Sequence, residues 1–320
     1  MPAMNITPLP YAALAPDQIG IRPPDGRLPA DIRIGTVALQ IADLARSLAF
    51  YEDVLGFQVL RRSEGTPAAG AVAELGAAGS EQALLVLHEQ LGVRPVPRRG
   101  LLGLYHFAIL LPSRADLGRF LRHVHVLGVR IGSSDHLYSE ATYLTDPDGI
   151  TVEVYRDRPR SEWQVSEQGE IQSALDPLDL PAVLQAAGDT RWQGLPAGTT
   201  IGHMHFYTGS LAQAAAFYHA ALGLDKVTWS LPGALFVSAG GYHHHVGLNV
   251  WAAGSPAATA QDARLLSWEL WLPDAASRDA AAARLQQAGF PTEPAPEGIA
   301  ATDPWGNRLL LRTDGERARH

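Results

Sequence analysis

The sequence predicts an α+β fold made of four copies of a βαβββ module. Three observations carry this prediction. Short apolar strands recur at matched spacings, and a stretch of helical period follows the first strand of each copy. The second and fourth copies also close on an Asp-Pro-x-Gly turn followed by an apolar strand.

Residues 1–30 are rich in proline and show no basic start followed by an apolar run, so they read as a surface arm rather than a secretory signal. The first module opens with Ile34-Gly35-Thr36-Val37-Ala38-Leu39-Gln40-Ile41, and the third with Ile201-Gly202-His203-Met204-His205-Phe206-Tyr207-Thr208. Fourteen residues after Thr36 comes Phe50-Tyr51, and fourteen after His203 comes Phe217-Tyr218. Leu55-Gly56 and Leu222-Gly223 lie nineteen residues on in both. Leu44, Leu48 and Tyr51 in one copy, and Leu211, Ala215 and Tyr218 in the other, have helical spacing, and the glycines stand where a helix commonly stops.

The second and fourth copies match in the same way. His106-Phe107-Ala108-Ile109-Leu110-Leu111-Pro112 aligns with Ser267-Trp268-Glu269-Leu270-Trp271-Leu272-Pro273. A helix follows each, ending near Gly128 and Gly289, and the closing turns are Asp146-Pro147-Asp148-Gly149 and Asp303-Pro304-Trp305-Gly306. The expected divisions are an arm (1–30), an N-terminal half (31–163), a linker (164–199) with one short helix from Asp179 to Ala187, a C-terminal half (200–314) and a tail (315–320). A length of 320 residues fits two domains at roughly 150 residues each.

Composition narrows the function classes. A net charge of −8 with no basic run argues against nucleic acid and anionic membranes as partners. There is no cysteine, which excludes disulfides, thiolate catalysis and Cys-ligated zinc or iron–sulfur clusters. No apolar run approaches the ~18 residues of a membrane span. A cytoplasmic protein is expected.

Three residues at matched module positions carry the chemistry. His106 stands on the first strand of module two, Glu153 on its last strand and His203 on the first strand of module three. Two imidazoles and a carboxylate form a facial metal site with open positions, a ligand set that suits Fe(II) and also accepts Mn(II). Glu153 lies within Ile150-Thr151-Val152-Glu153-Val154-Tyr155, where an unpaired carboxylate would be costly. The corresponding positions of modules one and four are Thr36, Ser267 and Leu310, none of them a credible ligand. The complete site forms if modules two and three share one cup.

The modules resemble the vicinal oxygen chelate superfamily across nearly all of residues 32–314. The resemblance rests on Phe50-Tyr51-Glu52-Asp53-Val54-Leu55-Gly56-Phe57 and on the segment Asp146 to Glu153. Within the superfamily the chain looks most like the catechol 2,3-dioxygenase-like ring-cleaving enzymes of bacilli. Gly103-Leu104-Tyr105-His106-Phe107, Asp157-Arg158-Pro159-Arg160-Ser161 and Ala239-Gly240-Gly241-Tyr242-His243-His244-His245 are similar to theirs. The resemblance implies modules paired into two cup-shaped β-sheet barrels, with the metal in one cup. It implies extradiol cleavage of a catechol-type ring with O₂ at a mononuclear Fe(II), the diol oxygens and O₂ filling the three open positions. It also implies roles for His245 beside bound oxygen, for Tyr143 as a hydrogen-bond partner of the substrate, and for His136 as a second histidine. The order His106, Glu153, His203 departs from the better-known two-domain extradiol enzymes, where both histidines and the glutamate lie in the last two modules.

The rival on the same fold is a glyoxalase I-like lyase or a thiol transferase. The lyase needs a fourth protein ligand, and the last strand of module three, Val246-Gly247-Leu248-Asn249-Val250-Trp251, offers only Asn249. No arginine–lysine cluster in the sequence clearly marks a seat for an oxyanion. A metal-free binding protein would leave three ligand positions unexplained. His205 is a candidate to orient a ligand, and Trp163, Trp192, Trp229 and Trp251 either line an aromatic pocket or fill the core. One chain closes the site, so a monomer suffices, and a homodimer is equally compatible.

Overall fold

The computed structural model describes residues 14–66, 70–296 and 298–314. Residues 1–13 of the expected arm and the expected tail lie outside them.

Each of the four modules has the order βαβββ. Module one comprises β1 (Arg33–Ile41), α1 (Leu44–Leu48), β2 (Gln58–Ser63), β3 (Val72–Gly76) and β4 (Leu85–Glu89). Module two comprises β5 (Gly103–Leu110), α2 (Arg114–Val126), β6 (Gly132–Asp135), β7 (Ser139–Thr145) and β8 (Thr151–Asp157). A short helix, α3 (Leu180–Ala186), lies between the halves, capped by the Asp179 carboxylate on the Ala182 N–H. Module three comprises β9 (Thr200–Tyr207), α4 (Leu211–Ala214), β10 (Asp225–Thr228), β11 (Ala234–Ser238) and β12 (Val246–Asn249). Module four comprises β13 (Arg264–Leu272), α5 (Ala275–Gln287), β14 (Thr292–Ala295), β15 (Gly298–Thr302) and β16 (Arg308–Thr313).

The module helices start alike. Asp43, Ser113, Ser210 and Asp274 each cap a helix by accepting from the backbone N–H three residues on. In modules one and three the helix continues as a π-helical stretch, Ala49–Val54 and Ala215–Ala221. The wider turns carry Tyr51 and Tyr218 inward. Their hydroxyls donate to Asp146 (3.0 Å) and Asp303 (2.8 Å), the aspartates of the two Asp-Pro-x-Gly turns. The same two aspartates accept backbone N–H bonds within their own turns. Two motifs far apart in sequence thus bond each other twice, joining module one to two and three to four.

Modules two and three build one eight-stranded sheet, β10-β11-β12-β9-β5-β8-β7-β6, and modules one and four build the other, β14-β15-β16-β13-β1-β4-β3-β2. The central pairs, β5·β9 and β1·β13, are antiparallel, and within each module the first strand runs parallel to the last. The expected pair of cup-shaped barrels needs a correction. The sheet of modules one and four curls into a half-barrel, and that of modules two and three also stays open. Its edge strands β6 and β10 are four residues long and not bonded to one another.

Strand alternation divides the residues of each sheet. Phe107, Ile109, Val152, Val154, Met204 and Phe206 join a shared hydrophobic core with Val37, Leu39, Trp268 and Leu270 of the other sheet. Their neighbours His106, Ala108, Glu153, His203 and His205 point to the opposite face. No helix among the described residues is long and apolar enough to cross a membrane.

Candidate metal centre

The local strand geometry brings three ligands to one point. Ala108 on β5 lies between Glu153 of β8 on one side and His203 of β9 on the other. Its methyl group leaves open the space into which the longer side chains reach. A β-bulge at Tyr105–His106 sets both residues against His205, and their rings lie 5.2 and 4.8 Å from the His205 ring. A second irregularity accommodates Gly202, where a Cβ would meet the Tyr155 hydroxyl at 1.8 Å.

His106 Nε2 and His203 Nε2 stand 3.0 and 3.1 Å from the same Glu153 oxygen and 3.3 Å from each other. Ligand atoms ~2.1 Å from a metal and at right angles lie ~3 Å apart. The triangle therefore fits one face of a six-coordinate ion. All three side chains are buried, at 3%, 2% and 1% exposure for His106, Glu153 and His203. Burial pushes both histidines below their ordinary pKa, toward the neutral form that binds a metal. Burial works the other way on Glu153, but the two imidazoles hold its carboxyl well below the usual range. Two imidazole nitrogens facing one another across a single carboxylate oxygen make a poor hydrogen-bond set. A divalent cation satisfies all three groups at once. Among the described residues, these form the one such cluster of potential metal ligands.

Around this triangle lie Tyr143 and His136. The Tyr143 ring is 5.6 Å from that of His106, and its residue pairs with Glu153 across β7 and β8. Tyr143 Oη and His136 Nε2 are 2.7 Å apart, and His136 Nδ1 donates to the Ala174 carbonyl at 2.8 Å. That second bond fixes the proton on Nδ1, so the tyrosine donates to Nε2. Burial, and then the Glu153 charge, push the Tyr143 hydroxyl well above its ordinary pKa.

The run His243-His244-His245 is buried throughout. His245 Nδ1 lies 2.8 Å from Ser238 Oγ, and burial lowers the His245 pKa to about 3. The adjacent His244 packs directly on a ligand, its ring 4.1 Å from that of His203. His243 bridges His244 and Asp157, with contacts of 2.8 Å to each. Three adjacent histidines are not distinguished by residue type or spacing, although their density marks the segment. Asn249 is engaged otherwise. Its Nδ2 meets His205 Nε2 at 3.0 Å, and its Oδ1 accepts from the Trp251 N–H. Tyr105, which sequence reasoning missed, stacks on Tyr207 and lies 4.6 Å from the His106 ring. Of the tryptophans, Trp251 reaches the Tyr105 and His205 rings, Trp163 packs with His243, and Trp192 packs on Phe120.

The sheet of modules one and four fills the equivalent space differently. Leu310 stands where Glu153 would be, and Glu269 takes the place of Ala108. The Glu269 carboxylate ion-pairs with Arg312 and accepts from the Thr36 N–H (3.0 Å) and Trp271 Nε1 (2.9 Å).

Comparison with known proteins gives three results. Residues 33–154 match the family model of the glyoxalase/bleomycin resistance protein/dioxygenase superfamily. The catechol-2,3-dioxygenase of Bacillus subtilis (strain 168) is 42% identical over 276 residues, which cover 86% of this chain and 94% of that protein. Among solved structures, a proposed dioxygenase from Bacillus subtilis subsp. subtilis str. 168 superposes with a TM-score of 0.62 at 12% identity, covering 90% and 86% of the two chains. Glyoxalase I from Zea mays does so with a TM-score of 0.55 at 16% identity, covering 90% and 95%. At such identities the structural matches speak for the fold alone.

Proposed function

Because the chain belongs to the glyoxalase/bleomycin resistance protein/dioxygenase superfamily, we propose that it is an extradiol ring-cleaving dioxygenase. It opens a catechol-type aromatic diol with O₂ at one Fe(II), or Mn(II), held by His106, Glu153 and His203. The observation that carries this reading is the buried triangle of three ligand atoms, 3.0–3.3 Å on a side, in a chain 42% identical to a catechol-2,3-dioxygenase. The glyoxalase reading is weaker because Asn249, its one candidate for a fourth ligand, is bonded to His205 and Trp251.

When bound, such a metal supplies the centre at which a vicinal diol and O₂ meet and the ring bond beside the diol breaks. Both oxygen atoms enter the product, so no external reductant is needed. The ring is received on the face of the sheet of modules two and three that carries the triad. Burial of the triad keeps bulk water from the reacting atoms. Tyr143 and His136 move the proton of the second hydroxyl. The tyrosine oxygen takes it as its own proton passes along the 2.7 Å bond to His136 Nε2. On the other side of the ligands, His244 lies against His203 while His245 is held on Ser238. We assign this histidine pair to the side where O₂ binds, His245 fixing the strand end that carries His244. The three ligands come from one chain, so a monomer suffices.

The test is oxygen uptake by Fe(II)-loaded protein given catechol. One O₂ consumed per yellow semialdehyde formed is expected. A colourless dicarboxylate, or no oxygen uptake with catechols, would contradict the assignment.

A further inference from the structure

We propose that the aromatic diol carries an anionic substituent, a carboxylate on the ring or on a short side chain, seated by a rim of four arginines. This rests on the ring-cleavage reading and names the substrate class of the same site. A cavity of about 500 Å³, within the range of small-molecule sites, is lined by Tyr105 and Tyr143, two neighbours of the ligand His106, and by none of the three ligands themselves. The Tyr105 and Tyr143 rings lie 4.6 and 5.6 Å from that of the ligand His106.

Arg98, Arg99, Arg130 and Arg264 line the same cavity. No aspartate or glutamate lines it, and among the described residues none of the four arginines forms an ion pair. In a chain of net charge −8, where arginines elsewhere are largely matched to carboxylates, four unmatched guanidinium groups at one opening call for an anion. Arg264 adds a second sign, since its Nε is buried without a hydrogen-bond partner. Two of these charges reach Tyr105, where Arg99 and Arg98 oppose the rise that burial gives the hydroxyl. Guanidinium groups recognise carboxylates by paired N–H donors, and the tyrosine faces suit the ring between carboxylate and diol. The four arginines are scattered over 166 residues of sequence, which is why only the fold reveals them as a cluster.

The test is calorimetric titration of the full chain, loaded with Fe(II) under argon, with 3,4-dihydroxyphenylacetate and with its uncharged amide. The acid should bind about tenfold more tightly than the amide at low salt, as expected for one partly screened charge pair. The gap should shrink in about 0.5 M NaCl. It should also shrink in Arg99→Gln and Arg264→Gln, and nearly vanish when Arg98 and Arg130 are replaced as well. Equal binding of acid and amide, or a gap that the arginine variants leave intact, would overturn the proposal. Admitting air separates the two readings. Equal binding with a yellow product sinks the arginine seat alone, whereas a charge preference without cleavage sinks the ring-cleavage reading alone.

Discussion

Glu153 is an ionised carboxylate deep in a strand, and two imidazoles keep it so. Each member of the triangle compensates the burial of the others, so each should be individually necessary. His106→Ala, Glu153→Ala and His203→Ala should each reduce metal content to near zero by elemental analysis, and retention of full metal in any one would remove that residue from the ligand set. Around the triangle the expected effects are kinetic. Tyr143→Phe should keep the metal and slow turnover by about 10²-fold, the scale of a lost proton-transfer group. His244→Phe should slow turnover more than His245→Phe at unchanged metal content. The reverse order would place His245 beside oxygen, as the resemblance implies. The three ligands could be read from the sequence because they occupy matched module positions. The choice between His244 and His245 could not, since it depends on how the chain turns between β11 and β12 (residues 239–245).

At the scale of the element, the centre depends on what β5 does not carry. Ala108 sits between Glu153 and His203, and its counterpart in module four is Glu269, whose ion pair with Arg312 occupies the corresponding space. Ala108 is fully buried beside Ala141 and Tyr155, so Ala108→Leu should crowd the ligands and lose metal affinity at least tenfold in a chelator competition. Affinity equal to wild type would show that the ligands converge elsewhere. Strand order, helix starts and module lengths were legible because period and turn chemistry are local. The bulge that turns Tyr105 and His106 to one side was not, since a bulge is set by pairing with β9, 97 residues away in the His106–His203 contact. The Tyr51–Asp146 and Tyr218–Asp303 bonds explain in hindsight why both motifs recur, yet neither motif alone names its partner.

For the whole molecule, pairing of modules two with three and one with four assembles one ligand cluster among the described residues, and it buries an unusual set of imidazoles. His106, His203, His205, His244 and His245 are all pushed below their ordinary pKa by burial, His245 to about 3. The unfolded chain takes up these protons as pH falls through ~6.5, while the folded chain stays neutral. The stability they contribute is thus complete above that pH and lost below it, at about 1.4 kcal/mol per pH unit for each histidine. Metal-free protein should show a urea midpoint that falls steeply from pH 6.5 to 5, and a flat midpoint would contradict the buried, neutral assignment. The central claim is that one metal in this triangle performs the ring cleavage. Titrating metal-free protein with Fe(II) under argon, then measuring catechol cleavage on admitting air, tests it most directly. Activity should rise linearly to one iron per chain and then stop, with Glu153→Ala silent throughout. Cleavage without iron, or activity that keeps rising to a second equivalent, would contradict the account.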